Sequence, residues 1–150
     1  MICIYAIEKN SKDEFEPILK NYQKMISKYS PLTYKSIFNN KIASSQNQTK
    51  ELAKKSYTLA YEPLLKGYNI ALHPDGKLLD SFEFSTIFEN HSNINFFIGG
   101  AYGFEKEFLN KCDRVISLSP LTFSHKVAKI ALYEQIYRAF TIINNHPYHK

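Results

Sequence analysis

A chain of 150 residues with 44% hydrophobic and 22% charged residues is long enough for one domain to bury a core and ordinary for a globular protein. No apolar run approaches the roughly 18 residues of a membrane span, and Met1–Ile7 shows neither a basic leader nor a small-residue cleavage site, so no membrane partner or signal peptide is expected. The formal net charge of +5, with a sequence pI near 9.1, suits a polyanionic partner.

Ile2–Ile7 (ICIYAI) is a continuous apolar run of β-favouring residues and reads as a buried strand. Ser11-Lys-Asp-Glu14 has capping-box spacing. The helix it opens carries Phe15, Ile18, Leu19, Tyr22, Ile26 and Tyr29 on one face. Pro17 moves its start to Asp13 or bends its first turns, and Pro31 ends it. Leu32 to Phe38 alternates as a second strand. Asn39 to Lys50 is polar, with Ile42 its one large apolar residue, and reads as a mobile connecting loop. Leu52 to Lys66 follows as a helix stopped by Gly67. Tyr68–Leu72 is a third strand running into the turn His73-Pro-Asp-Gly-Lys77. Asp80 or Ser81 caps a helix whose core side is Phe84, Ile87 and Phe88. Ile94–Ile98 and Arg114 to Leu118 supply the fourth and fifth strands. Apolar runs alternating with helical segments, with few hairpin signals, predict an α/β fold: a five-stranded, mostly parallel sheet with helices on both faces, in a single domain over residues 1–150.

The chemistry-bearing stretches cluster after the fourth strand. In Ile98-Gly-Gly-Ala-Tyr-Gly103 the glycines either let a ligand approach the backbone or simply make a tight strand-to-helix turn; the spacing is not the G-x-G-x-x-G of a dinucleotide fold. Leu118-Ser-Pro-Leu-Thr-Phe-Ser124 sits after a strand and before the helix cap Ser124. It is either a plain connector stiffened by Pro120, or a loop whose main chain reads an adenine edge while Leu121 and Phe123 flank the ring. The helix His125–Ile143 is apolar on more than one side, which suits either its own sheet plus a second subunit or an unusually buried helix of a monomer. Arg138, one of only two arginines with Arg114, must find an anion there: Glu134 of the same helix or an external phosphate. The tail Asn144 to Lys150 (NNHPYHK) is dense in groups that stack, donate protons and contact phosphate. His146 and His149 lack a cysteine or carboxylate at ligand spacing, so no metal site is expected. Cys3 and Cys112 are far apart, without metal spacing, and read as reduced thiols of a cytoplasmic protein.

FFIGGAYGF, then VISLSPLTFSHKVAKIALYEQIYRAF, then the terminal NHPYHK, together with Leu72 and the Gly76-Lys77 turn, closely resemble the RlmH family of the SPOUT (α/β-knot) class. The resemblance implies a C-terminal trefoil knot, an obligate homodimer without membrane or metal, and S-adenosylmethionine held in the knot. It further implies methylation at N3 of a pseudouridine in 23S rRNA, on assembled ribosomes. A non-catalytic ribosome-binding factor of the same fold, or a relative acting on transfer RNA, is the alternative. By correspondence the cofactor would contact Leu72, Gly100, Ser119, Pro120, Leu121, Thr122, Phe123 and Ser124. Removing the imide proton requires a base or a stabiliser of the developing anion; Tyr148 and His149 are the candidates for the base, with Arg138 holding a phosphate or the anion. Three places depart from the family pattern: Ala101-Tyr102 replaces Pro-Glu, Phe123-Ser124-His125 replaces Leu-Pro-His, and His73 replaces aspartate.

Overall fold

The two most apolar runs of the chain lie side by side in the sheet. Strands β1 (Ile2–Ile7) and β4 (Ile94–Ile98) pair in parallel, Ile2 opposite Ile94 and Ala6 opposite Ile98. All five residues of β4 are buried, as expected of a strand covered on both faces. β2 (Leu32–Ile37) flanks β1 on the outside, while β3 (Tyr68–Leu78) and β5 (Arg114–Ser117) complete the order β2-β1-β4-β3-β5, with every pairing parallel. The computed structural model describes all residues, Met1–Lys150.

Alternate side chains of each strand feed two cores. One face packs α1 (Glu16–Ile26), α4 (Ser81–Asn90) and α6 (His125–Ile143) against Ile4, Ile70, Phe96 and Ile116. The other packs α3 (Lys50–Tyr61) and α5 (Lys106–Lys111), with Ile42 of α2 (Asn40–Gln46), against Tyr5, Ala71 and Phe97. At the amino edge, Asn69 and Asn95 face each other across β3 and β4. Asn95 Nδ2 donates to Asn69 Oδ1 at 3.0 Å, and Asn69 N donates to Asp113 Oδ2 at 2.7 Å. A one-residue slip would strand these buried amides, so they pin the register.

Several local expectations are corrected. The first helix starts at Glu16, beyond the Ser11 box: Asp13 instead accepts from Phe15 N at 2.9 Å, and Pro17 occupies the first turn, where its missing amide costs nothing. Asn39 to Lys50 is not a mobile loop. Asn39 accepts from Ile42 N at 2.9 Å to cap α2, Ile42 is fully buried, and Thr49 caps α3. The next helix ends at Tyr61 with a single 3-10 turn, Glu62–Leu64, around Pro63. The third strand does not end at Leu72: it resumes on the same partner, Ile116, at Lys77 and runs to Leu78, with the Pro-Asp-Gly segment as an irregularity within it. Asp80 caps α4 in a capping box with Glu83.

One buried ion pair ties α6 back to the end of β1. Lys129, only 7% exposed, places Nζ 2.5 Å from Glu8 Oε1 and 3.3 Å from Tyr34 Oη, and Tyr34 donates to the same carboxylate. Burial, with the adjacent Glu8, pushes the Tyr34 phenol up, so it remains the donor. Glu8→Ala strands the ammonium and is expected to lower stability in urea unfolding by about 3 kcal/mol, the lower end for a broken buried pair. Glu8→Leu combined with Lys129→Met is expected to recover most of that loss. Unchanged stability of Glu8→Ala would mean that the pair is effectively solvated.

Candidate active site at the carboxyl edge of the sheet

At the carboxyl ends of β3, β4 and β5 three loops meet around a cavity of about 380 Å³, the position where open α/β sheets take their ligands. The first loop arises from a break in the β3–β5 ladder. Leu72 and Lys77 both pair with Ile116, so residues 73–76 leave the sheet and return to the same point. Gly76 makes this possible, since a Cβ there would lie 2.5 Å from the Ile116 carbonyl carbon. His73 and Pro74 are thereby carried to the cavity wall, and His73 Nδ1 accepts from Asp75 N at 3.1 Å.

The second loop is the glycine turn. Gly103, at φ +75°, donates its amide to Gly100 O at 3.0 Å. Tyr61 Oη closes the turn from below with a 2.6 Å bond to Ile98 O. Gly100 lies flat on the ring of Tyr57: a Cβ would come within 2.5 Å of Tyr57 Cζ. Tyr57 is fully buried and accepts from Gln46 Nε2 at 2.6 Å, with burial raising its pKa.

The third loop follows β5. Ser117 Oγ donates to Ser119 O at 2.9 Å and Ser119 Oγ accepts from Leu121 N at 3.0 Å, which folds the loop on itself. Ser124 Oγ accepts from Val127 N at 3.3 Å and caps α6. The main-chain groups of Thr122 and Phe123 bond to nothing within the chain, and Leu121 is 74% exposed at the rim.

Of the expected cofactor contacts, Leu72, Gly100, Ser119, Leu121, Thr122 and Phe123 line the cavity; Pro120 and Ser124 do not. The motif reading missed Tyr57, whose signal is tertiary, and Ala128, one turn into α6. It also missed His125 as a wall of the cavity. The three positions that depart from the family pattern near the turns, His73, Ala101 and Tyr102, all line it.

Arg138, Tyr148 and His149 come together elsewhere. Asn145 adopts φ +52° and His146 N donates to Thr141 O at 2.8 Å, which turns the tail back along α6. Glu134 Oε1 then accepts from Arg138 Nη2 at 2.6 Å, Arg138 Nε at 3.0 Å and Tyr148 Oη at 3.0 Å. Arg138 Nη1 lies 3.1 Å from His149 Nδ1, and its guanidinium stands 4.8 Å over the Tyr148 ring. The anion required by Arg138 is thus Glu134. Burial first, then the Tyr22 hydroxyl and Glu134, push the Tyr148 phenol upward, keeping it a proton donor at neutral pH. None of Arg138, Tyr148 and His149 lines the cavity of its own chain; Glu134, to which Tyr148 is bonded, lies six helical residues, about 9 Å, beyond Ala128 of the cavity wall. No group of three or more His, Cys, Asp or Glu side chains is arranged to hold a metal, and no helix is long and apolar enough to cross a membrane.

An all-parallel sheet with a ligand-sized cavity walled by main chain and glycine defines the class as an α/β protein with a concave site at the carboxyl edge of its sheet. Its family follows from comparison. The family model described as "Predicted SPOUT methyltransferase" matches residues 1–149, and the chain belongs to that family. Among relatives, the "Ribosomal RNA large subunit methyltransferase H" of Aliarcobacter butzleri (strain RM4018) is 54% identical over 149 residues, covering 99% of each chain. The protein of that name from Helicobacter pylori (strain J99) is 54% identical over 154 residues, covering 100% of each. Among solved structures, a methylase family protein of Haemophilus influenzae Rd KW20 superposes with a TM-score of 0.57 at 15% identity, over 96% of this chain and 66% of that one. That likeness shows the fold, shared with a protein of which this chain spans just under two thirds.

Gly100→Ala drives a methyl group into Tyr57 and is expected to lower stability by about 1–3 kcal/mol in urea unfolding. Adding Tyr57→Leu removes the obstructing ring, so the double variant should lose less than the sum of the single losses. Strict additivity would place the cost elsewhere.

Proposed function

We propose that this protein is an S-adenosylmethionine-dependent methyltransferase that methylates N3 of a pseudouridine in 23S rRNA. In this reading it works as a cytoplasmic homodimer on assembled ribosomes, with the cofactor in a trefoil-knotted C-terminal half. The observation that carries the reading is end-to-end similarity, at 54% identity, to proteins named as large-subunit ribosomal RNA methyltransferases. The cavity fits the cofactor chemically. Leu72, Leu121 and Phe123 offer apolar walls to a purine, the free main chain of Thr122 and Phe123 offers hydrogen bonds to its edge, and Gly100 admits close approach.

When bound, the cofactor supplies an electrophilic methyl group on a sulfonium. The loops must hold the acceptor nitrogen in line with it, and such positioning is worth several kcal/mol of barrier. N3 of the base must shed its proton as the N–C bond forms. The raised phenol of Tyr148 suits it to turn its hydrogen bond from Glu134 to a carbonyl of the base, and His149 is the proton acceptor through Nδ1, once Arg138 Nη1 turns from that nitrogen to the RNA. Arg138, held by Glu134, faces the RNA phosphate or the imidate oxygen. None of these three residues lines the cavity of its own chain, and in this reading the tail completes the cavity of the other subunit.

Labelled S-adenosylmethionine incubated with ribosomes, subunits, bare rRNA and transfer RNA is expected to label 23S rRNA at N3 of a pseudouridine. Label appearing only in transfer RNA would replace the substrate, and none at all would remove the enzymatic reading. Deleting Tyr148 to Lys150 should cut methylation at least ~100-fold, the scale of a lost general base, while calorimetry shows cofactor affinity unchanged. Surviving activity would end the tail's catalytic role. Mixing the tail-deleted chain with Gly100→Val, each inactive alone, should restore methylation through hybrid dimers; no restoration would mean that each site is built from one subunit.

A further inference from the structure

A second cavity, of about 350 Å³, opens at the carboxyl ends of β1 and β2 and shares Ala101 and His125 with the first. Its size, at the lower end of small-ligand pockets, is on the scale of one nucleotide and excludes a duplex. Its lining differs in kind from that of the first: it carries Lys9 beside Glu8, whose charge is already met by Lys129. Phe38 presents an aromatic ring that is only half-buried. Lys9 stands over that ring with Nζ 5.2 Å from the centroid, so one π-face meets a lysine ammonium. Gln46 is held through Nε2 by Tyr57, so its Oε1 has no partner, and the Asn47 side-chain amide is likewise unbonded.

An aromatic face, a lysine at its edge and unspent amides are the set with which proteins hold a single unstacked base: stacking on the ring, a cation for the phosphate, amides for the base edge. An enzyme that alkylates a ring nitrogen must draw the base out of the RNA stack. The wall shared through Ala101 and His125 sets a base in this cavity beside the first. We infer that the Phe38–Lys9–Gln46 cavity is the pocket that receives the target pyrimidine nucleotide. The base stacks on Phe38 in the place now held by the Lys9 ammonium, Lys9 swings to the 5′ phosphate, and Gln46 Oε1 accepts from the base edge. Pseudouridine carries free N–H donors at both N1 and N3, whereas the N1 of uridine is glycosidic. Gln46 Oε1 accepting from N1–H, the donor that uridine lacks, therefore distinguishes the two bases and leaves N3 free for the methyl group. This assignment rests on the proposed methylation of a pseudouridine.

The test uses full-length protein, intact ribosomes and labelled S-adenosylmethionine. Phe38→Leu keeps apolar volume but has no π-face, and is expected to raise the KM for ribosomes roughly 10- to 100-fold, the range of one lost base stack. Cofactor affinity by calorimetry and the unfolding midpoint should stay at wild-type values, and Phe38→Tyr should restore the KM. Lys9→Ala should raise the KM and flatten its dependence on salt. Wild-type KM in Phe38→Leu, or equal losses in the Leu and Tyr variants, would overturn the stacking pocket while the wild-type reaction stands. Failure of the wild-type protein to methylate any ribosomal RNA would overturn the reaction and the pocket together.

Discussion

The close approach of Gly76 to the main chain of Ile116 is the constraint on which the carboxyl edge depends. It lets β3 leave β5 after Leu72 and rejoin it at Lys77 on the same partner residue. Four residues are thereby expelled above the sheet without breaking its order, and His73 and Pro74 become a cavity wall. Any side chain at position 76 would have to displace backbone, which a packed sheet resists far more than it resists a shifted rotamer. The glycine turn and the 119–123 loop then need only end their own strands to close the cavity.

The long helix α6 serves two places with its two ends. Its start, capped by Ser124, brings His125 and Ala128 to the cavity; its last turns carry Arg138 and anchor the folded-back tail. Glu134 makes the second arrangement stable. Left alone, a half-buried guanidinium costs desolvation; with three hydrogen bonds converging on Glu134 Oε1, Arg138 stays charged and Tyr148 stays oriented. The carboxylate also cancels much of the arginine's charge and fixes its direction.

The strands were legible because buried parallel strands announce themselves as apolar runs, and α6 was legible because Ser124 and the long apolar stretch mark both its start and its extent. The α2 region was not. Seven residues with one buried Ile42 carry no periodicity worth reading, and the Asn39 cap and the Tyr57–Gln46 contact that hold them are visible only in three dimensions. Ser11 misled for the opposite reason: its spacing fits a capping box, but Asp13 and Pro17 fix a later start. At the site, motif order located the turn and the loop. Neither the separation of the tail from the cavity nor the ring beneath Gly100 has any signature in spacing.

That ring bears on how two ligands meet. Tyr57 touches the glycine turn of one cavity with the hydroxyl end of its ring and Gln46 of the other with the hydroxyl itself. It belongs to a buried cluster with Phe97, Tyr61 and Phe108, whose rings stack edge and face on one another. A side chain so enclosed cannot yield at one contact without disturbing the other, because dense cores transmit displacement and do not absorb it. The two cavities are therefore held at a fixed spacing by the core and not by their loops. An in-line displacement loses rate steeply when its reacting atoms shift by about an ångström. A rigid spacer between donor and acceptor is what such a reaction needs, and in this fold a tyrosine buried beneath a glycine supplies it.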